Sequence, residues 1–218
     1  MQDLILIGSG GCMRELFWQI EELNKEIPTW NVIGYVDKCS FQGGEGLDIS
    51  VGSIYCPYLG EDEYLLSRQK ETNVAISVGE PGLRKKIAEK LSQNPRLKFP
   101  NLIMGDTKLC TDIKMGQGCI ISMGCRVSTN VMLGDFVFLN LGSLVCHDGI
   151  LGDYVTLSPD VKTAGQVVIG NCCDLGMGTR IIQGITIGDG VIAGAGSVIV
   201  KDVEAGCTIA GVPAKQIK

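Results

Sequence analysis

"MGQGCIISMGCRVSTNVMLGDFVFLNLGSLVCHDGILG" (115–152) sets Gly116, Gly134 and Gly152 in one register, 18 residues apart. The step continues to Gly170, Gly188 and Gly206, and Met, Leu or Ile precedes every one of the six except the last, which follows Ala205. Division by three gives a hexapeptide. Stepping by six from Met115 to Ala205 meets 16 positions, 13 of them large aliphatics, with Thr163, Ala193 and Ala205 as the departures. Four residues after each stands a second column of small or β-branched residues, from Cys119 and Cys125 to Val203 and Ile209. Two columns in phase without an insertion predict an all-β parallel β-helix with three faces per coil, whose aliphatic column fills the interior. Residues 18 apart then stack at the strand spacing of ~4.8 Å. A β-sandwich would not hold this period.

Upstream of the repeat the pattern changes. "LILI" (4–7), "NVIGYVD" (31–37) and "NVAISVG" (73–79) are expected strands, and "CMRELFWQIEELNKE" (12–26) and "PGLRKKIAEKLSQN" (81–94) expected helices. Alternating strands and helices predict a small α/β, Rossmann-like parallel sheet. The domain boundaries expected are 1–101 for this part and 102–218 for the β-helix.

Composition narrows the function classes. The chain has 218 residues, 45% hydrophobic and 20% charged, with net charge −5 and a pI near 5.0. It lacks the basic stripe of a nucleic-acid binder. No apolar run approaches the ~18 residues of a membrane span, and "MQDLILIGSGG" lacks the basic start of a signal peptide. Ten cysteines form no CxxC pair and there is a single histidine, so a zinc site is not expected and the cysteines read as reduced, mostly apolar fillers in a cytoplasmic protein. A zinc-dependent β-helix hydratase, which needs three histidines, is excluded on the same count.

That histidine, His147, precedes Asp148. The two follow the inward Val145 by two and three places, so their side chains are expected to point out of the prism. Imidazole titrates close to neutrality and suits a general base, and a neighbouring carboxylate can fix its tautomer. Counting 18 forward from His147 reaches Gly165, so no side chain stacks over the base. That vacancy is expected to admit a substrate, the alternative being a glycine kept for backbone torsion. In the first part "IGSGG" carries Gly8, Gly10 and Gly11, but Met13 stands where a full dinucleotide fingerprint has its last glycine. The glycines still allow backbone N–H groups to approach a phosphate at a helix N-terminus, and Asp37 can accept hydrogen bonds from a ribose or base. A nucleotide-sugar satisfies both; a tight strand–helix turn with no ligand is the plainer alternative.

The repeat and the ending "AGVPAKQIK" (210–218) resemble the left-handed β-helix acyltransferases. The whole chain is similar to one branch, the bacterial sugar acetyltransferases with a Rossmann-like domain before the β-helix, of the sialic acid O-acetyltransferase and UDP-4-amino-sugar N-acetyltransferase type. The resemblance rests on "LIGSGGCMRE" (6–15), "GYVDK" (34–38), "SVGEPGLRKKI" (77–87), "NLI" (101–103), "HDGILGDYVTLSPDVKTAG" (147–165) and "GVPAK" (211–215). It implies acetyl-CoA as co-substrate, no metal, and a sugar or nucleotide-sugar amine or hydroxyl as acceptor in glycan or polysaccharide biosynthesis. It implies His147 as base with Asp148 beside it, and coenzyme A near Thr156, Gly165, Met177 and Ala195. It also places the acceptor against Gly8, Gly10, Gly11, Cys12, Met13, Arg14, Asp37, Lys38 and Gly79. Cys12, Met104 and Thr156 stand where the family usually carries histidine. Family enzymes pack three prisms with the base in a cleft between two, so a homotrimer is expected, with Phe136, Phe138 and Leu141 as exposed candidates for its contacts. Lys162 and Arg180 share one outward column and read as solvated charge before a phosphate contact. A non-catalytic scaffold or regulatory β-helix, and an acetyltransferase acting on a non-sugar acceptor such as serine, are the alternatives.

Overall fold

The computed structural model describes residues 1–38 and 48–218; Cys39 lies outside the described residues. The chain divides into two compact units, one of Met1–Gly79 and Leu83–Pro100, the other of Glu80–Gly82 and Asn101–Lys218. No helix among the described residues is long and apolar enough to cross a membrane.

The first unit runs β1 (Gln2–Ile7), α1 (Gly11–Glu26), β2 (Trp30–Val36), β3 (Ile49–Val51), β4 (Ile54–Cys56), β5 (Tyr58–Gly60), α2 (Asp62–Leu66), β6 (Thr72–Ile76), α3 (Pro81–Leu91) and β7 (Leu97–Lys98). Its sheet has the order β5-β2-β1-β6-β7 with every pair parallel. The continuous apolar run Leu4–Ile7 makes β1 the central strand, where both faces are covered. From β1 the chain winds first to β2 and later to β6 on the opposite side. The strand order therefore reverses at β1, and open α/β sheets bind ligands at the carboxyl edge beside such a point. Met13, Leu16, Phe17 and Ile20, at helical spacing, bury one face of α1.

The second unit is a three-sided parallel β-helix. Before its last two strands every strand is two residues long, and those inside each stack pair with the strands 18 residues before and after, as Leu144–Val145 does with Arg126–Val127 and Lys162–Thr163. The second residue of each strand points inward. Together with the residue four places on, it fills an unbroken core that includes Val127, Val145, Leu157, Ile169 and Ile187. Each such side chain stabilises by about 1.5–3 kcal/mol relative to exposure, and no aromatic group fits so narrow an interior. Thr163 interrupts the inward aliphatic column, and its buried hydroxyl has no hydrogen-bond partner. At the carboxyl end Thr208–Gly211 turns back on Ala214–Gln216 as an antiparallel pair and caps the last coil.

Two sequence expectations are corrected here. Phe136 and Phe138 are buried, at 3% and 4% exposure, and cannot serve as open contact residues; Leu141 is half-buried. Phe136 adopts a left-handed backbone and lays its ring parallel to Tyr154 of the next coil, centroids 5.3 Å apart. Phe138 stacks between Ile120 and Thr156 in a column buried from Leu102 to Thr156. The outward apolar side chains that remain exposed include Met132 and Ile150, adjacent in another column.

The described cysteines divide: Cys56, Cys119, Cys125 and Cys173 are small buried residues, Cys12, Cys146, Cys172 and Cys207 are half-buried, and Cys110 is exposed. Cys119, Cys125 and Cys173 are buried, and burial pushes the thiols of Cys125 and Cys173 up to about 11. The described cysteines are all free thiols.

Candidate active site

His147 and Asp148 follow the strand Leu144–Val145 and occupy a corner of the prism. Val145 points inward, so the next turn carries both polar side chains outward, where 56% of the His147 side chain and 42% of that of Asp148 are exposed. His147 Nδ1 lies 2.7 Å from Asp148 Oδ2. The other carboxylate oxygen, Oδ1, accepts a hydrogen bond of 2.7 Å from Asn130 Nδ2. The hydrogen bond from Asn130, reinforced by that from His147, holds the Asp148 carboxyl below its ordinary range. An ionised Asp148 can only accept at Nδ1, which places the imidazole proton there and leaves the Nε2 lone pair free as a base. The His147 carbonyl accepts a hydrogen bond of 2.9 Å from the Gln166 N–H in the next coil, which pins the backbone beneath the ring.

Gly165 stacks over His147, as the 18-residue count predicts, but for a different reason. A Cβ built on Gly165 would overlap Cε1 and Nε2 of His147. The imidazole therefore fills the space that the sequence reading left for substrate. Gly165 lies outside the left-handed region, so backbone torsion does not require a glycine here.

The other residues implied for coenzyme A do not gather at this corner. Met177 and Ala195 stack on one another at the corner before the strands Arg180–Ile181 and Val198–Ile199, whereas His147 and Gly165 occupy the corner after that face. Met177 is 58% exposed, and Ala195 is exposed too. Thr156 belongs to a third setting, the outward side of Thr156–Leu157, and is buried. Between the two corners lies a face whose outward column includes Arg126, Leu144, Lys162 and Arg180. Its cations are engaged: Asp160 accepts from Lys162 at 2.9 Å and from Arg180 at 2.6 Å, and Arg180 Nη1 also donates to the carbonyls of Asp160 and Gly178.

A second site lies wholly in the first unit. A cavity of about 390 Å³ opens at the carboxyl ends of β1, β2 and β6, beside the reversal of strand order. Gly8, Ser9, Gly10, Gly11, Cys12, Asp37, Lys38 and Gly79 line it, together with Asp62. Gly8, at φ +106°, makes the turn that L side chains resist. Gly10 caps α1 with no side-chain hydrogen bond, and side chains at Gly10 or Gly11 would meet nothing within 4 Å. The start of α1, with the positive end of the helix dipole, thus borders the cavity with room beside Gly10 and Gly11, a setting for an anion. Asp37 Oδ2 accepts from Ser9 Oγ at 2.5 Å, and Oδ1 accepts from the Lys38 N–H at 2.6 Å. Cys12 faces Gly79, and burial raises its thiol above the ordinary range, so it lines the cavity as a neutral group.

Met13 and Arg14 do not line this cavity. Met13 is fully buried on the inner face of α1, two residues past the helix start, and Arg14 points outward as an exposed residue. Three residues of this unit were missed. Ser9 orients Asp37; Asp62, 4% exposed, holds Lys90 at 2.7 Å and Lys38 at 3.8 Å; Arg84, 1% exposed, donates to the carbonyls of Val78 and Gly79 and fixes the cavity wall. No sequence signal marks Asp62, and Arg84 stands only as one residue of the motif "SVGEPGLRKKI" (77–87). Asn130 could have been found, since it lies 18 residues before Asp148.

A parallel-sheet unit followed by stacked triangular coils defines the class: a left-handed parallel β-helix acyltransferase. The family model for the PglD N-terminal domain matches residues 3–91. The acetyltransferase domain of PglB from Neisseria gonorrhoeae, solved with acetyl coenzyme A, is 31% identical over 99% of both chains with a TM-score of 0.86. PerB from Caulobacter crescentus, solved with CoA and GDP-perosamine, is 28% identical over 100% of this chain and 98% of its own, with a TM-score of 0.84. WeeI from Acinetobacter baumannii, 23% identical over 100% of both chains at a TM-score of 0.83, shares the fold. No curated protein matches the chain by sequence at a significant level. This chain belongs to the PglD-like sugar acetyltransferase family.

Proposed function

We propose that this protein transfers the acetyl group of acetyl-CoA to an amine or hydroxyl of a nucleotide-linked sugar in glycan biosynthesis, with His147 as general base. The observation that carries the proposal is the 2.7 Å contact of His147 Nδ1 with an ionised Asp148, which leaves Nε2 free to accept a proton. The full-length likeness to PglB and PerB supplies the donor and the acceptor class. Nε2 takes the proton of the acceptor amine or hydroxyl as its nitrogen or oxygen attacks the thioester carbon. The Gly165 N–H, the backbone group over the ring in the next coil, polarises the thioester carbonyl. The C–S bond then breaks, and the imidazolium returns the proton to the departing thiolate. No covalent acyl-enzyme is involved.

The cavity of the first unit takes the nucleotide of the acceptor, with the diphosphate at the start of α1 and Asp37 on the ribose or base. Mixing the protein with acetyl-CoA and a panel of UDP-, GDP-, CMP- and dTDP-sugars, and following thiol release, tests the function directly; no release with any of them sinks it. Asp37→Ala is expected to raise the KM for the acceptor about tenfold or more while the KM for acetyl-CoA changes less than about twofold. Equal changes in both constants would contradict the nucleotide assignment.

The working form is a cytoplasmic homotrimer. Of the residues assigned to coenzyme A, Gly165 falls on one corner of the prism and Met177 and Ala195 on another, so a groove that joins His147 and Gly165 to Met177 and Ala195 calls for the corner of one copy against that of the next. Met132 and Ile150 give an exposed apolar strip on the face that follows the His147 corner. Light scattering is expected to give three times the 23.3 kDa chain mass. A fully active monomer would overturn this assembly.

A further inference from the structure

We propose that Asn130 is a positioning residue for the base: its side-chain amide orients the Asp148 carboxylate and so sets the tautomer of His147. The inference rests on the reading of His147 as base. Three polar residues 18 apart, Asp112, Asn130 and Asp148, stack on one corner over successive coils. Asp112 Oδ2 accepts from the Asn130 backbone N–H at 3.0 Å and from Thr129 Oγ1 at 2.5 Å. Asn130 Nδ2 then donates to Asp148 Oδ1 at 2.7 Å, and Asp148 Oδ2 meets His147 Nδ1 at 2.7 Å. One carboxylate thus has each oxygen committed to a different partner. Its plane is fixed by an amide on one side and the imidazole on the other.

A second ladder shows what a structural version looks like. Asp135, Asp153, Asn171 and Asp189 are also 18 apart, and there each side-chain oxygen accepts from the backbone N–H of the preceding coil, at 2.7–2.9 Å. That ladder ties coil to coil. There Asn171 Nδ2 also approaches the Asp189 carboxylate, at 3.3 and 3.4 Å; in the ladder that ends at His147, Asn130 Nδ2 makes a shorter bond, 2.7 Å, to a carboxylate whose other oxygen meets the imidazole. Without such a donor Asp148, 42% exposed and on a surface corner, could turn between water and the ring. Asn130 and Asp148 both adopt left-handed backbone, at φ 53° and 59°. Asn, Asp and Gly tolerate this region and Ala does not, so glycine removes the amide without adding strain.

Because His147 is the sole histidine, its ring nitrogens give unambiguous 15N resonances in histidine-labelled whole protein. At a pH where the ring is neutral, the wild-type protein is expected to show the Nδ1–H tautomer. Asn130→Gly should shift the population toward Nε2–H and lower kcat about tenfold, with the KM for acetyl-CoA within about twofold. Asn130→Asp, which sets two carboxylates side by side, should lower kcat further, while Asn130→Gln, which keeps an amide, should recover part of the loss. A predominant Nε2–H tautomer in the wild type, or an unchanged tautomer in folded Asn130→Gly, would overturn the proposal. The two readings fail separately: full activity in His147→Ala refutes the base, and an Asn130-independent tautomer refutes the positioning residue.

Discussion

Replacing His147 by alanine is expected to lower kcat by about 10²–10⁴-fold, the usual worth of a positioned general base, with little change in melting temperature. The two halves of this expectation come from the same geometry. The side chain is 56% exposed and does not belong to the buried core of the prism, so its removal falls among surface substitutions, within about 0.5 kcal/mol of neutral. The reaction loses the lone pair on Nε2, and no second histidine exists in the chain to replace it. Neighbouring Cys146 is half-buried and belongs to the preceding turn position. The test compares thiol release with thermal unfolding for the two proteins. Wild-type turnover in a folded His147→Ala variant would place the base elsewhere.

Gly165→Val is expected to lose at least about 10²-fold in kcat while it folds as well as the parent. Gly165 has no left-handed torsion, so valine meets no backbone penalty there, and its side chain projects from an outer corner and not into the packed core. What it meets is the imidazole, since even a Cβ would overlap Cε1 and Nε2. The ring has to swing away, and the 2.7 Å contact with Asp148 breaks with it. Misplacement of a catalytic group by about 1 Å is enough to cost about 10²-fold. Gly165→Ala should fall between valine and the parent. A Gly165→Val protein that unfolds early but keeps its specific activity would show that the glycine serves the fold and not the base.

These two positions also show how far the sequence reaches. The register of 18 placed Gly165 over His147 and sent both His147 and Asp148 outward, because a coil of three equal faces fixes which positions stack and which face water. It sets Asn130 beneath Asp148 on the same terms. Periodicity does not report the rotamer of a surface ring. The imidazole lies flat over Gly165 instead of leaving a gap for substrate, and that outcome depends on the hydrogen bond that Asp148 offers at Nδ1. Phe136 and Phe138 misled for a related reason: hydrophobic residues at outward positions of the repeat read as exposed, but Phe136 covers itself with Tyr154 of the next coil, a pairing between residues 18 apart whose rings could equally have pointed away.

In the first unit, alternation of apolar strands with amphipathic helices determined the parallel sheet, and "IGSGG" marked the turn from β1 into α1. The resemblance implies Met13 and Arg14 as acceptor contacts along with those glycines. Helical geometry separates the two, since a step of 100° per residue carries Met13 into the core and leaves Arg14 exposed. Asp62 reaches the cavity from α2, and Arg84 on α3 holds the carbonyls of Val78 and Gly79 in its wall; both segments are remote in sequence from the glycine loop, and only the folded sheet brings them to its carboxyl edge.

What the sequence by itself determined is whatever repeats locally: the coil, its inward column, the corner of His147, and the strand–helix alternation before it. These follow from short-range periodicity, where each residue's environment is set by neighbours at fixed spacing. The tertiary structure decided what depends on side-chain direction between elements: the tautomer-fixing chain from Asp112 through Asn130 to His147, the ring over Gly165, and the cavity wall held by Arg84. Those contacts are single hydrogen bonds and close approaches, and their geometry exists only once distant segments have packed.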